Sequence, residues 1–299
     1  MIQTATGPSD GPIDKSAARR SFERAAVSYD HAALLQREIA TRLLERLAYF
    51  RLQPRRVLDL GCGTGGALPA LRARYPAAQL IGLDFALSML ARARPRAAPP
   101  AHLLCADLDA LPLAAGTCEL IFASAALQWS NDLARCCAAL RRALAPGGVL
   151  LFATFGPDTL RELRDAWAAV DDAAHVNPFW DLHDLGDVLL RAGFVDPVVD
   201  VERLMLTYPS LRALMADLKA IGAHNPLRVR RRTLTGRQRF AALERAYEPL
   251  RRDGRLPSTW EVVYGTGWAG ADVALASSAP SGQTQIPLPL GVRRRDEAE

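Results

Sequence analysis

The chain has 299 residues, of which 49% are hydrophobic and 23% charged, and its formal net charge at pH 7 is +5. These proportions are typical of a soluble globular protein and exclude a disordered polyampholyte, a collagen-like fibre and a small disulfide scaffold. Lys15 and Lys219 are the only lysines, so arginine carries nearly all of the positive charge, which leaves room for an acidic partner without identifying one.

The chain starts with a polar segment and continues with helical spacing. Residues 1–15 are rich in Gly, Pro, Ser and Asp, which predicts a disordered tail and not a secretory signal. From Ser16 to Phe50 the apolar residues recur at three- and four-residue intervals, which predicts two helices with a break near Tyr29 and Asp30. We expect residues 16–53 to form a helical lid on the domain that follows.

Short apolar segments alternate with helical ones after Pro54. Strands are predicted at 56–60, 79–84, 101–105, 118–124 and 148–154, with helices at 67–74, 86–94 and 132–144. Strands that are apolar throughout and alternate with helices indicate a parallel sheet covered on both faces. The predicted fold class is therefore α/β, with its core at 54–155.

The second half is richer in helices. They are predicted at 158–170, 181–192, 210–221 and 235–250, with strands from 193 to about 201 and at 260–268. This pattern predicts a helical insertion before the last strand, so that 16–268 form one domain and 156–268 supply its substrate side. The Pro-, Ser- and Gly-rich residues 269–299 predict a second disordered tail.

Hydropathy and cysteine usage predict a cytoplasmic protein without membrane contact. No apolar segment reaches the roughly 18–20 residues that span a bilayer. The five cysteines lack metal-ligand spacing, which predicts buried free thiols. His175, Asp181, His183 and Asp184 lie close together, but acidic residues are favoured at a helix start, and we assign them no metal.

A glycine-rich turn, LGCGTGG, follows the first predicted strand. Glycine permits a tight turn and lets a ligand approach the backbone. Gly61, Gly63 and Gly66 alone also match the pattern of dinucleotide-binding proteins.

Acidic residues at the ends of the first three strands narrow the choice of ligand. Asp84 suits two ribose hydroxyls, as in NAD proteins. Asp59, before the turn, would repel a pyrophosphate but suits an ammonium or sulfonium group. Asp107 with Leu108, after the third strand, can hydrogen-bond an adenine amine and flank its ring.

As an ordered set, these motifs resemble the class I S-adenosylmethionine-dependent methyltransferases from about Arg56 to Thr154. The resemblance implies a Rossmann-like sheet of seven strands, the last of them antiparallel, and S-adenosylmethionine as the cofactor. The cofactor-binding residues that it implies are Tyr29, Asp59, Gly61, Cys62, Gly63, Asp84, Phe85, Met89, Asp107, Leu108 and Gln128.

Stretches outside this core resemble one subfamily, the malonyl-acyl carrier protein O-methyltransferases of biotin synthesis. They are 20–30 with 35–38, 154–160 with 183–187, and 217–225 with 234–236 and 261–265. The resemblance covers about 17–268 and implies methylation of the free carboxylate of malonyl-acyl carrier protein or malonyl-CoA. The ester carries no charge, so fatty-acid enzymes with apolar tunnels can extend it to the pimeloyl unit of biotin.

A carboxylate with a pKa of about 4 is already deprotonated at pH 7, so this reaction needs no general base. The sequence offers no convincing catalytic dyad, and we expect its site residues to orient the substrate and exclude water. The candidates are Tyr29, Gln128, Trp129, Phe155 and His224, with ordinary packing as the alternative for the aromatic residues.

An arginine-rich segment follows a predicted helix that ends at His224 and Asn225. Arginine binds phosphate in a bidentate manner, so this region could dock an acidic carrier protein and the phosphate of its phosphopantetheine arm. The docking candidates are His224, Asn225, Arg228, Arg230, Arg231 and Arg232. A solvated loop is the alternative for the arginines, and a helix-dipole interaction is the alternative for His224.

Two other functions stay open: another small-molecule methyltransferase of this fold, and a related cofactor-binding assembly factor or protein-arginine hydroxylase. A nucleic-acid methyltransferase is disfavoured, because residues 125–128 contain neither a catalytic cysteine nor an Asn/Asp-Pro-Pro-Tyr-like motif. We predict no nucleic-acid partner and expect a monomer.

Overall fold

Seven strands form one mixed sheet in the computed structural model, which describes residues 11–97, 101–230 and 235–270. They are β1 (Arg56–Leu60), β2 (Gln79–Asp84), β3 (Ala101–Cys105), β4 (Cys118–Ser124), β5 (Leu144–Phe155), β6 (Phe194–Tyr208) and β7 (Leu256–Ala269). Their order is β3-β2-β1-β4-β5-β7-β6, and β7 is antiparallel to both of its neighbours. The predicted fold class, an α/β protein with an antiparallel last strand, is confirmed.

Helices cover both faces of this sheet. They are α1 (Lys15–Ala25), α2 (Tyr29–Ala32), α3 (Leu34–Arg46), α4 (Leu68–Arg74), α5 (Leu87–Ala93), α6 (Leu133–Ala143), α7 (Arg161–Ala168), α8 (Leu182–Arg191), α9 (Leu211–Ala220) and α10 (Arg237–Tyr247). Side-chain oxygens of Asp132, Asp181 and Ser210 accept backbone N–H groups at the starts of α6, α8 and α9, which explains where these helices begin. Within the described ranges, no helix has both the length and the apolar character needed to cross a bilayer.

Neighbouring residues of β1 belong to different hydrophobic clusters, one on each face of the sheet. Val57 belongs to the cluster that contains Ile39 and Leu43 of α3. Leu58 belongs to the cluster that contains Leu140 of α6 and Val188 of α8. Because both faces are buried, a central strand here needs apolar residues on both of its sides, as the sequence pattern indicated.

The strands predicted at 56–60, 79–84, 101–105 and 118–124 coincide with β1 to β4, but β5, β6 and β7 are longer than predicted. β6 is an edge strand, and polar residues occupy many of its positions. A prediction based on apolar runs therefore did not detect its second half. Two acidic residues of β6 are paired with arginines of α3: Arg46 lies 2.6 Å from the Asp200 carboxylate, and Arg42 pairs with Glu202.

The N-terminal segment differs from its prediction in two places. Tyr29 and Asp30 begin the short helix α2, and the break falls just before them at 26–28. The folded domain also includes residues before 16. Ile13 is buried and forms a β-bridge with Leu227, and Asp14 caps α1 by accepting the Ala17 N–H at 3.0 Å. Local composition predicted a tail because it carries no trace of these tertiary contacts.

Candidate active site

A cavity lies at the carboxyl ends of β1, β2, β3 and β4, which is where ligands bind in open α/β sheets. Its floor is formed by the glycine-rich turn after β1 and by the residues that follow the other three strands. Its cover comes from the N-terminal helices, through Lys15 and Phe22 of α1 and Tyr29 of α2.

The turn after β1 is held against the end of β2. The N–H groups of Gly61 and Cys62 both donate to the Leu83 carbonyl, at 2.7 and 2.9 Å. Gly61 has a φ of +70°, and a Cβ there would stand 2.6 Å from the Cβ of Ala126. Gly63 has a φ of +54° with no heavy atom within 4 Å of the Cβ position, so its backbone faces open space that a ligand can fill.

Two buried carboxyl groups lie beside this turn. Asp84 accepts the N–H groups of Gly63 at 3.0 Å and Ala86 at 2.8 Å, and burial raises its pKa to about 6. Asp59 is only 3% exposed, and its Oδ2 has no hydrogen-bond partner among the described residues. Burial, followed by the charge of Asp84, raises the pKa of Asp59 to about 7.

An unpartnered buried carboxylate is costly unless a cation lies beside it. S-adenosylmethionine carries a sulfonium and an ammonium group, so the unpartnered Asp59 oxygen, the open backbone at Gly63 and the Asp84 carboxylate fit this cofactor. The residues present therefore suit the group that the glycine-rich motif indicated.

The predicted adenine end of the cavity is already tied to α1. The Lys15 ammonium lies 2.8 Å from Asp107 Oδ1 and 2.8 Å from Asp109 Oδ2. Phe22, two turns further along the same helix, packs edge-on against Trp129 with ring centres 4.9 Å apart. These contacts hold α1 over the cavity.

A second cavity of about 400 Å³ adjoins the first. Phe22, Tyr29, Ala125 and Trp129 line both cavities and form their junction. The second cavity is mostly apolar, with Phe155 packed between Phe179 and Trp260 in its wall. A small polar group on an apolar chain could enter here and reach the junction.

Trp260, which lines this second cavity, carries a buried donor. The residue is 4% exposed, and its indole Nε1 has no hydrogen-bond partner among the described residues. A buried N–H without an acceptor is costly, which marks it as a group that a ligand could satisfy.

Tyr29 remains a protonated phenol at the junction. Burial raises its pKa well above the ordinary value, and the nearby carboxylates of Asp84 and Asp30 raise it further. It can therefore donate a hydrogen bond but does not act as a base near neutral pH.

Residues 58–152 match a family described as a methyltransferase domain. The malonyl-[acyl-carrier protein] O-methyltransferase of Laribacter hongkongensis is 52% identical over 268 residues, which cover 86% of this chain and 90% of that protein. The chain belongs to the malonyl-[acyl-carrier protein] O-methyltransferase family. The protein of the same name from Gallionella capsiferriformans is 49% identical over 87% of this chain and 92% of its own length.

Among solved structures, the YcgJ protein of Bacillus subtilis superposes with a TM-score of 0.56 at 16% identity, over 77% of this chain and 99% of that one. At this identity the likeness concerns the fold alone. The family relationship confirms the resemblance that the motifs and their flanks indicated.

In this member of the malonyl-[acyl-carrier protein] O-methyltransferase family, most of the predicted cofactor residues converge. Those that line the first cavity are Tyr29, Gly61, Gly63, Asp84, Phe85, Met89, Asp107 and Leu108. Asp59 lies beside the turn, where it is buried and close enough to Asp84 for the charge of that carboxylate to raise the Asp59 pKa.

Two predicted cofactor residues lie elsewhere. The Cys62 thiol is turned away from the cavity towards β2, where a Cβ on Gly82 would stand 3.1 Å from its sulfur. Gln128 lines the second cavity, and its Nε2 donates to the Ala125 carbonyl at 2.7 Å. The sequence motif could not separate residues whose backbone shapes the turn from residues whose side chains face the ligand.

Some of the predicted orienting and docking residues line the second cavity, and others lie outside it. Gln128, Trp129, Phe155, His224 and Asn225 all line the second cavity. Arg230 lies just outside it, in a third cavity described below. Arg228 lines neither and donates its backbone N–H to the Pro12 carbonyl at 3.0 Å, whereas Arg231 and Arg232 lie outside the described residues.

The histidines near 175–184 are engaged in pairs. His175 lies 2.7 Å from Asp171 and stacks on Trp167, and His183 lies 2.8 Å from Asp181 at the start of α8. Across the described ranges, no three His, Cys, Asp or Glu side chains come together as a metal site.

Lys15, Phe22 and Trp260 line the two cavities but were not among the predicted site residues. Lys15 fell in the segment assigned to the tail, and Phe22 fitted an ordinary helical packing pattern. Trp260 is separated by more than a hundred residues from the motif after β4, and the pairing of β5 with both β4 and β7 brings the two near each other.

Proposed function

We propose that this protein transfers the methyl group of S-adenosylmethionine to the free carboxylate of a malonyl thioester carried by acyl carrier protein or coenzyme A. The methyl ester is the starting unit for the pimeloyl chain of biotin. The observation that carries this proposal is the junction at Phe22, Tyr29, Ala125 and Trp129, where a cofactor-type cavity meets a mostly apolar cavity. The names of the most similar relatives supply the identity of the substrate.

The first cavity would bind the cofactor. Asp84 would accept the ribose hydroxyls, Asp107 with Leu108 would hold the adenine, and Asp59 would balance the positive charge near Gly61 and Gly63. S-adenosylmethionine would supply a methyl group on a positively charged sulfur, and the bond between this sulfur and the methyl carbon is the one that breaks.

Transfer to a carboxylate requires alignment and does not require proton removal. The substrate oxygen forms the new bond with a lone pair, and the electrons of the broken bond stay on sulfur, so no proton has to move. Tyr29 and Trp129 at the junction would confine the two reactants to one line and keep water out, which can contribute several kcal/mol.

The lining of the second cavity suits the malonyl carboxylate, which must keep its negative charge available for attack on the methyl group. Among its described lining residues there is no arginine, and Lys219 is exposed at its edge. A tight arginine pair would withdraw charge from the attacking oxygen. Neutral donors such as the Trp260 indole can orient the carboxylate while leaving its charge available.

The carrier would approach from the outer end of this cavity. His224 and Asn225 line that end, which supports their predicted role in docking. Arg230 is close to them, while the contributions of Arg228, Arg231 and Arg232 stay predictions.

The compartment is part of the proposal. All five cysteines of the structure are free thiols, and Cys105 alone is exposed, which suits a reducing cytoplasm.

The direct test is incubation with methyl-labelled S-adenosylmethionine and malonyl-acyl carrier protein, followed by a search for a base-labile methyl ester. Acetyl-acyl carrier protein, which lacks the free carboxylate, is the matched control and should stay unlabelled. Robust cofactor binding without label on any malonyl thioester would refute the proposed reaction.

A further inference from the structure

A third cavity, of about 410 Å³, opens at the outer end of the second one. The two cavities share His175, His224, Asn225 and Thr235 as lining residues, so the third forms the entrance to the second. Its remaining wall comes from α1, which presents Arg20 and Arg24, and from Arg230.

Arg20 and Arg24 lie four residues apart and therefore project from the same side of α1. Both are exposed, and among the described residues neither has a carboxylate within ion-pair distance. Arg19 on the same helix differs, because it reaches Glu23 at 4.0 Å. Like charges at this spacing destabilise a helix, so the pair has an energetic cost, which the nearby Asp14 carboxylate reduces in part for Arg20.

The surroundings of the pair favour an anion. Burial, together with the charges of Arg24 and Lys219, lowers the pKa of His224, which keeps this histidine neutral near pH 7. Arg230 is partly balanced, since its guanidinium lies 3.3 Å from Asp14. Among the described arginines that line the entrance, Arg20 and Arg24 are thus the two that form no ion pair.

We propose that Arg20 and Arg24, assisted by Arg230, bind the phosphate of the 4′-phosphopantetheine arm that carries the malonyl thioester. The assignment rests on the proposed function and names the subsite for its substrate.

The arm has the order that the cavities require. Its anionic phosphate comes first, a neutral chain with two amides follows, and the thioester is at the far end. The cationic entrance, the mostly apolar second cavity with Asn225 at its edge, and the junction at Tyr29 present the matching environments in the same order.

The site also connects substrate binding to the cover of the cofactor cavity. Lys15 and Phe22 of α1 lie over the first cavity, while Arg20 and Arg24 of the same helix face the entrance. A phosphate held by the arginines therefore helps to hold α1 over the first cavity.

The test compares two small substrates, malonyl-4′-phosphopantetheine and malonyl-pantetheine, which differ in the phosphate alone. The double variant Arg20→Gln/Arg24→Gln should raise KM for the first about tenfold or more, because hydrogen bonds to charged groups are being lost. It should leave kcat and the KM for malonyl-pantetheine unchanged. Arg19→Gln, on the same helix, is the matched control and should change neither substrate's KM.

Equal effects on both small substrates, or no effect on either, in a double variant with an unaltered Tm would overturn the phosphate assignment. So would a loss confined to malonyl-acyl carrier protein and absent with malonyl-CoA, because both carry the phosphate of the arm and only the carrier protein presents a protein surface. The absence of methyl ester from the unaltered enzyme with every malonyl thioester would refute the reaction itself, which keeps the two failures separate.

Discussion

The Thr64 hydroxyl donates a hydrogen bond of 2.6 Å to the Asp30 carboxylate, which joins the N-terminal helices to the glycine-rich turn. Arg96 completes the connection: it lies 2.8 Å from Asp30 Oδ2 and donates to the Thr64 carbonyl at 3.0 Å. The Arg96 hydrogen bond holds the pKa of Asp30 below its ordinary value, so the carboxylate is ionised at neutral pH. The cover of the cofactor cavity is therefore attached to the segment proposed to hold the cofactor.

Thr64→Val should loosen this attachment. The variant removes the donor and keeps the shape, at a cost of about 1.5–3 kcal/mol for a hydrogen bond to a charged group. We expect faster amide hydrogen exchange in α1 and α2, with the exchange of β1 and β4 unchanged, and weaker binding of S-adenosylmethionine. Thr117→Val is the matched control, because that exposed hydroxyl donates to the Ala114 carbonyl far from the N-terminal helices. Exchange rates in α1 and α2 equal to those of the unaltered protein would contradict the prediction.

The raised pKa values of Asp59 and Asp84 predict how cofactor binding depends on pH. Both groups have a folded-state pKa above the model-compound value of 3.8, so the folded protein without ligand holds protons that the unfolded chain releases. Their contribution to the free energy of unfolding is consequently largest at low pH and is lost as the pH rises through about 6 to 7. A cation bound beside them favours the ionised forms.

The affinity for S-adenosylmethionine should therefore increase about tenfold as the pH is raised across the pKa of Asp59. S-adenosylhomocysteine, which lacks the sulfonium charge, should show a smaller change. Calorimetry in buffers of different ionisation enthalpy would reveal the released proton, and Asp59→Asn should remove most of the pH dependence. Parallel pH profiles for the two ligands would argue against a role for Asp59 in charge balance.

Local patterns predicted those parts of this molecule that have local causes. β1, β2 and β4 are mostly buried, so their apolar runs end where the strands end, whereas β3 is a partly exposed edge strand. The turn at Gly61 and Gly63 was visible from its spacing. β6 could not be delimited in this way, because Arg42 and Arg46 on a distant helix balance its charges. Arg20 and Arg24 resembled any exposed helical pair until the fold brought them beside His224.

Asp84→Ala should weaken binding of S-adenosylmethionine by about ten- to a hundredfold, since hydrogen bonds to a charged acceptor contribute about 1.5–3 kcal/mol each. The variant also frees the N–H groups of Gly63 and Ala86, so thermal unfolding must be measured alongside calorimetry. Asp132→Ala is the matched control. Asp132 likewise accepts a backbone N–H, at the start of α6, and its loss should cost about 1 kcal/mol of stability without changing cofactor affinity. Unchanged affinity in Asp84→Ala would rule out the ribose role.

Trp260→Phe separates recognition of the substrate from stability. The indole N–H is buried and unpartnered, so its removal relieves a cost of about 1–3 kcal/mol and offsets the packing lost with the smaller ring, and Tm should change little. If the N–H orients the malonyl carboxylate, KM for malonyl-acyl carrier protein should rise several-fold to about tenfold, while the Kd for S-adenosylmethionine stays the same. Trp180→Phe, in the cluster on the other face of the sheet, is the control and should leave KM unaltered. An unchanged KM together with a lower Tm in Trp260→Phe would assign this tryptophan to packing alone.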